Sequence, residues 1–102
     1  MKTIKKSTLM KKLGAFVSVC NTPSRCGYGV APNQFDIRFE NGRVFQSYRS
    51  LIAVKMDGQL YLTGNHDYSN TTSGHVGRWC GYNAKERRAG LANEEIIFIT
   101  ED

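Results

Sequence analysis

Two histidines, an aspartate and an arginine lie close together in the sequence and have the chemistry for proton transfer. They are His66, Asp67, His75 and Arg78. Histidine and carboxylate groups can exchange protons, and with an arginine they could in principle act on a phosphodiester. The same stretch contains Ser69, Thr71 and Thr72, which are typical of a turn that runs into a helix. A structural role is the better interpretation, so we predict no catalytic residue and no enzyme.

Three cysteines and the two histidines offer a second chemistry, the binding of zinc. The available pairs are Cys20 with Cys26, His66 with His75, and His75 with Cys80. Structural zinc sites usually hold paired thiolates about two to four residues apart, so that both reach one ion. The spacings here fit poorly, and we expect reduced cysteines that act as small apolar residues, without a metal or cofactor.

The basic residues form the most informative pattern. Fourteen Lys and Arg against nine Asp and Glu give a net charge of +5, which favours contact with nucleic acid or an acidic protein surface. If Tyr28, Tyr48 and Tyr61 are exposed beside arginines, they would add stacking platforms for bases. The alternative is that the tyrosines pack at sheet edges and the lysines are only solvated. The candidates for binding a protein partner or nucleic acid are Lys5, Lys6, Lys11, Lys12, Arg25, Tyr28, Arg49, Tyr68, Arg78, Trp79, Arg87 and Arg88.

The length of 102 residues predicts a single domain, 1–102. Its first residues are basic like the start of a signal peptide, but Lys11 and Lys12 interrupt the apolar run that export requires. A continuous apolar stretch of about 18 residues, long enough to span a bilayer, is also absent from the sequence. We therefore expect a cytoplasmic protein.

The N-terminal third is predicted to contain one helix and one long loop. Residues 1–14 carry five lysines and suit a basic amphipathic helix, capped by Ser7 or Thr8 and ended by Gly14. Residues 15–20 are apolar and β-branched, and fit either a strand or the tail of that helix. Both prolines and two glycines lie in residues 21–33, which we interpret as a loop.

The middle of the chain predicts a β-meander over 34–63. Polar and apolar residues alternate strictly over 34–40, as in a half-buried strand. Asn41-Gly42 and Asp57-Gly58 each predict a type I′ hairpin turn. Arg49-Ser50 could be a turn, or a bulge that bends the sheet toward a small barrel.

The C-terminal third is predicted to be helical over 71–92, with a closing strand over 95–100. Thr71, Thr72 or Ser73 could cap the first helix, which places Val76 and Trp79 on one face. The predicted fold class is therefore α+β: a four- to five-stranded antiparallel sheet or small open barrel, with a basic N-terminal helix and one or two short C-terminal helices.

Four segments carry a resemblance to a known group of proteins. They are Phe39–Tyr48, with Phe-Gln-Ser-Tyr at its end, Leu51–Val54, Leu60–Thr63, with Tyr-Leu-Thr, and Asp67–His75, with Asp-Tyr-Ser-Asn-Thr-Thr. The chain resembles, over roughly 34–99, a family of small tailed-bacteriophage proteins of unknown function. The resemblance implies an accessory protein of a phage or prophage, acting in the cytoplasm of a bacterial host cell.

Two functions are consistent with these observations. The resemblance favours a non-enzymatic phage protein that binds and inhibits a bacterial defence or host component, which could be a nucleoprotein. Exposed aromatic and arginine residues would anchor such an interaction. The alternative is a nucleic-acid-binding module with a basic surface that contains Tyr and Arg, and a small nuclease is a weaker third hypothesis.

Overall fold

The protein is an α+β domain built on one open sheet of seven strands. The computed structural model describes residues 1–23 and 29–101. Its elements are β1 (Thr3–Lys5), α1 (Lys6–Leu13), β2 (Phe16–Pro23), β3 (Val30–Phe39), β4 (Gly42–Ser47), β5 (Ser50–Met56), β6 (Gln59–Leu62), α2 (Asn70–Cys80), α3 (Ala84–Ala92) and β7 (Ile97–Thr100). The strand order is β1-β7-β6-β5-β4-β3-β2, with β1 and β2 at the two edges. The sheet does not close, so the barrel alternative is wrong, and seven strands replace the four or five predicted.

The predicted meander is confirmed as β3 to β6, in which neighbouring strands are antiparallel. The Asp57-Gly58 turn has positive φ at both residues, +53° and +76°, as a type I′ turn requires. The Asn41-Gly42 prediction is right about a hairpin but wrong about its turn. Phe39 pairs with Gly42, so Glu40-Asn41 forms the turn, and neither of these residues has a positive φ.

Gly42 is instead required by packing. A Cβ added there would lie 2.5 Å from the carbonyl oxygen of Lys55 and 2.7 Å from a methyl carbon of Leu13. Real Cβ atoms do not approach other heavy atoms this closely. The missing side chain therefore lets the end of α1 lie directly on the sheet.

The strand β7 departs from the predicted antiparallel pattern. It lies between β1 and β6 and is parallel to both. The crossover from β6 to β7 is made by α2 and α3, because a parallel connection needs a long excursion over one face of the sheet. The predicted closing strand over 95–100 is thus present as Ile97–Thr100, but in the interior of the sheet.

The N-terminal predictions need three corrections. The chain starts with a short strand, β1, so the helix begins at Lys6 with Lys5 in the N-cap position, and Ser7 and Thr8 lie inside it. The end of the helix at Gly14 is confirmed, with a φ of +81°. Residues 16–23 form a strand, and most of the predicted 21–33 loop belongs to β2 and β3; residues 24–28 lie outside the described part.

The segment predicted as helical over 71–92 forms two helices. Ser69 caps α2 by accepting a hydrogen bond from the amide of Thr72, so the cap lies earlier than the three predicted candidates. Asn83 and Glu86 form a reciprocal capping box at the start of α3.

Two hydrophobic clusters hold the helices against opposite faces of the sheet. Leu9 and Leu13 of α1 pack on Val44, Val54 and Ile99. Successive side chains of a strand point to opposite faces, so Phe45, Ala53 and Leu62 lie on the other face. There Val76 of α2 and Leu91 of α3 pack against them. None of the described helices is long and apolar enough to cross a membrane.

Candidate ligand-binding site

The site is positioned by the parallel strands. Because β1, β7 and β6 are parallel, their carboxyl ends lie at one end of the sheet, called the upper end here. The chain enters α1 directly from β1, and enters α2 after the loop that follows β6. Both helices therefore begin at the upper end, on opposite faces. Sheets with parallel strands commonly bind ligands at such an end, in the crevice where the chain leaves toward different faces.

The turn between β4 and β5 also reaches the upper end, because β5 is antiparallel to β6. This turn consists of Tyr48 and Arg49, since Ser47 pairs with Ser50. Tyr48 has a φ of +54°, which is unusual for a residue with a bulky side chain. Its amide donates a 2.7 Å hydrogen bond to the carbonyl of Asn33, and its carbonyl accepts one from Gln46. These two bonds hold the strained turn in place.

Two exposed tyrosines line a cavity at this end, together with polar residues and Ile52. Tyr48 is 64% exposed and Tyr68 is 81% exposed, the highest value among the large apolar side chains of the described residues. The cavity that both line has a volume of about 590 Å³, within the range of small-ligand sites. We call it the tyrosine cavity. Its other lining residues include Gln34, Ser47, Ser50, Asn65, Ser69 and Thr72.

A second cavity of about 450 Å³ lies beside the first and shares Ser50 and Asn65 with it. Lys6 and Arg49 line this second cavity, called the basic cavity here, together with Glu101. Both basic side chains are exposed. The fold brings them to one cavity although 43 positions separate them in the sequence. The upper end thus combines stacking surfaces, hydroxyl groups and positive charge.

The structure brings four of the sequence-predicted candidates to this end and leaves others elsewhere. Lys5, Lys6, Arg49 and Tyr68 lie at the upper end. Lys11 and Lys12 lie in the last turn of α1, at the opposite end, where the carbonyl of Lys12 accepts a hydrogen bond from Asn41. Arg25 and Tyr28 lie outside the described residues.

Three other candidates belong mainly to the framework. Arg87 is fully buried, so its assignment as a contact residue is wrong. Trp79 is partly buried against Phe45 and beneath the ammonium group of Lys55, which also donates a hydrogen bond to the Trp79 carbonyl.

Arg88 is exposed and forms an ion pair with Asp67 at 3.3 Å. For Tyr61 the packing alternative is the right one, since it is 8% exposed and lies in the cluster under α1.

The two histidines that the sequence analysis considered for proton transfer are engaged in structural contacts. Burial lowers the pKa of His66, whose Nδ1 accepts a hydrogen bond from Nε of Arg87 at 3.0 Å. His75 lies 3.3 Å from Arg78, measured between Nδ1 and Nη2. Within residues 1–23 and 29–101, no three His, Cys, Asp or Glu side chains are grouped so that they could hold a metal ion.

A smaller cavity of about 290 Å³ lies between α2 and strands β2 to β4. It contains the paired side chains of Asp36 and Arg43, together with Arg78 and Trp79. Arg78 and Trp79 are among the candidates that the sequence predicts, whereas Gln34 and Asn65 of the tyrosine cavity are not. Neither residue has a charge or a motif, and only the folded chain places them beside the tyrosines.

Comparison with known proteins yields a family but no activity. No curated protein and no solved structure matches the chain. One family model matches residues 21–97, which are more than half of the chain and include β3 to β6, α2 and α3. The chain therefore belongs to that family, a family of unknown function (DUF8033).

Proposed function

We propose that this protein is a non-enzymatic binding module that takes up single-stranded nucleic acid at the upper end of its sheet. The observation that carries the proposal is the pair of exposed tyrosines, Tyr48 and Tyr68, which line one cavity together. Each aromatic ring presents a flat face on which an unpaired base can stack. The exposed Arg49 and Lys6 beside them supply charge for the phosphates.

Several features favour a single strand over a duplex. A duplex keeps its bases stacked on one another, whereas the tyrosine cavity is concave and accepts a group that projects into it. Lys11 and Lys12 follow Lys6 in α1 by five and six residues, about one and a half helical turns, so the three lysines do not form one face for a major groove. The backbone strain at Tyr48 fits a residue that is held for binding, since such strain is concentrated at functional sites.

The direct test is fluorescence anisotropy with a labelled single strand of about 12 nucleotides and with the matching duplex. We expect tighter binding of the single strand. Replacing Tyr48 or Tyr68 with alanine should weaken binding about tenfold each, because base stacking contributes about 1–3 kcal/mol per base. Tyr82→Ala is the control, since Tyr82 is 47% exposed and lies outside both cavities. Equal losses in all three variants, or no binding of the single strand, would reject the proposal.

The second candidate is a protein partner, a bacterial host or defence component inhibited by a phage-encoded accessory protein. The specific observation in its favour is the edge strand β2, where Phe16, Val17 and Val19 are each more than half exposed. Exposed edge strands readily pair with another chain, and this one has no charged side chain to oppose it within Phe16–Pro23. Retention from nuclease-treated bacterial lysate by the protein, but not by a Val17→Lys/Val19→Lys variant, would support this candidate.

A further inference from the structure

The tyrosine cavity contains a buried polar atom whose hydrogen bond is missing. Gln34 is 5% exposed, and its Oε1 has no hydrogen-bond partner among the described residues. A buried acceptor without a donor costs the fold about 1–3 kcal/mol, so an atom of this kind calls for an explanation. A ligand that donates a hydrogen bond to it would provide one.

The position of Gln34 is fixed by the sheet. It pairs with Ser47 across β3 and β4, and the next residue after Ser47 is the strained Tyr48. Gln34 and Tyr48 therefore line the same cavity from adjacent strands. A base stacked on the tyrosine would bring its edge toward the glutamine amide. The last torsion of a glutamine side chain is soft, so Oε1 can turn toward an arriving donor at little cost.

The residues that α2 contributes to the cavity favour an anion. Ser69, Thr71 and Thr72, at the start of the 11-residue helix α2, line it. None of the described residues in the first turn of α2 is acidic, so the positive end of the helix dipole is not compensated there. The cavity thus offers an acceptor at Gln34, aromatic faces at its rim and an environment suited to a phosphate.

A nucleotide whose base carries an amino group has all three complementary features. We infer that the tyrosine cavity is a base-selective subsite in which Gln34 accepts a hydrogen bond from the exocyclic amino group of adenine, cytosine or guanine, in preference to thymine. Thymine presents a single N–H between two carbonyl oxygens at the same edge, and these would lie against Oε1. This inference rests on the proposed function and adds to it a preference among bases.

The test compares strands of equal length made of deoxyadenosine, deoxycytidine, deoxythymidine or abasic units. We expect the adenine and cytosine strands to bind about fivefold more tightly than thymine, the effect of one net hydrogen bond. Gln34→Met keeps the side-chain length and removes the amide. In this variant the preference should disappear, so that the adenine, cytosine and thymine strands bind about equally tightly. Gln59→Met is the matched control, because Gln59 lies outside the tyrosine cavity and bonds the carbonyls of Leu60 and Glu95.

The melting temperature of Gln34→Met is a second measurement, and it distinguishes a ligand-binding glutamine from a purely structural one. Removing an unpaired buried acceptor should leave the melting temperature of Gln34→Met unchanged or higher. A lower melting temperature with an unchanged base preference would overturn the inference. Equal binding of all strands by the native protein would also overturn it while leaving the proposed function intact, whereas absence of binding to every strand would reject the proposed function itself.

Discussion

Arg87 donates a hydrogen bond from Nε to Nδ1 of His66 at 3.0 Å, although the two residues are 21 positions apart in the sequence. The remaining guanidinium nitrogens donate to the carbonyls of His66 and Tyr82 and to the hydroxyl of Ser73. This fully buried arginine forms no ion pair with any described carboxylate. It instead ties the loop after β6, helix α2 and helix α3 into one unit, and thereby fixes the wall of the candidate site.

We expect Arg87→Lys to lower the free energy of unfolding by about 3 kcal/mol. Lysine cannot reproduce the planar set of donors, so buried acceptors would lose their partners. Arg88→Lys is the control, because Arg88 forms an exposed ion pair with Asp67, and its effect should stay below about 1 kcal/mol. Urea denaturation of the two variants measures the difference, and similar losses would contradict the structural role given to Arg87.

The hydrogen-bonded pair of His66 and Arg87 also predicts how stability depends on pH. Burial lowers the pKa of His66 below its ordinary value of 6.5, against the smaller opposing effect of Asp67. The unfolded chain then binds this proton more readily than the folded one. The contribution of His66 is therefore complete above pH 6.5 and is lost as the pH falls through 6.5 toward the lowered value.

His66→Asn tests this dependence, since the asparagine oxygen can accept the bond from Arg87 but does not titrate. Thermal melts between pH 5 and 8 should show a weaker decline on the acid side for the variant than for the native protein. Parallel curves would show that His66 does not contribute.

Tyr48 should show opposite effects on stability and binding. Asparagine adopts positive φ more readily than tyrosine, so Tyr48→Asn should raise the free energy of unfolding by up to about 1 kcal/mol. The same change removes the stacking surface and should weaken binding of a single strand about tenfold. Loss of both stability and binding would indicate that the ring is part of the packing rather than of the site.

Binding through the basic cavity should depend on salt. Lys6→Ala and Arg49→Ala should each reduce the slope of log K against log salt by about 0.7, the contribution of one phosphate contact to a single strand. Lys12→Ala removes the same charge at the far end of α1 and serves as the control. An equal reduction in Lys12→Ala would mean that only the net charge matters.

Gly42→Ala should destabilise the fold by about 2 kcal/mol, because its Cβ would collide with the sheet backbone at Lys55 and with Leu13. Gly58→Ala has open space around its Cβ and should cost only the backbone strain of its positive φ, about 1 kcal/mol. Chemical denaturation distinguishes the two positions. A larger loss for Gly58→Ala would mean that α1 does not rest on Gly42 as the structure shows.

The central meander could be predicted because its determinants are local. The alternation in 34–40 and the Asp57-Gly58 turn act over a few residues, and the structure contains both the strand and the turn. Helical structure within 71–92 is likewise local, although the cap of its first helix is Ser69 rather than one of the three predicted residues. Local signals fail where a partner is distant: residues 3–5 form a strand because Phe98–Thr100 pairs with them.

Only the tertiary structure determines which residues come together in the candidate site. Sequence alone identified the basic residues and the exposed Tyr48 and Tyr68 by type, but it gave Arg87 the same weight as Arg49. Parallel pairing of β1, β7 and β6 brings Lys6, Arg49 and Tyr68 to one end, while packing buries Arg87 against His66. The physical reason is that propensity acts between neighbours in the chain, whereas burial and the meeting of strand ends depend on contacts between residues that are far apart in it.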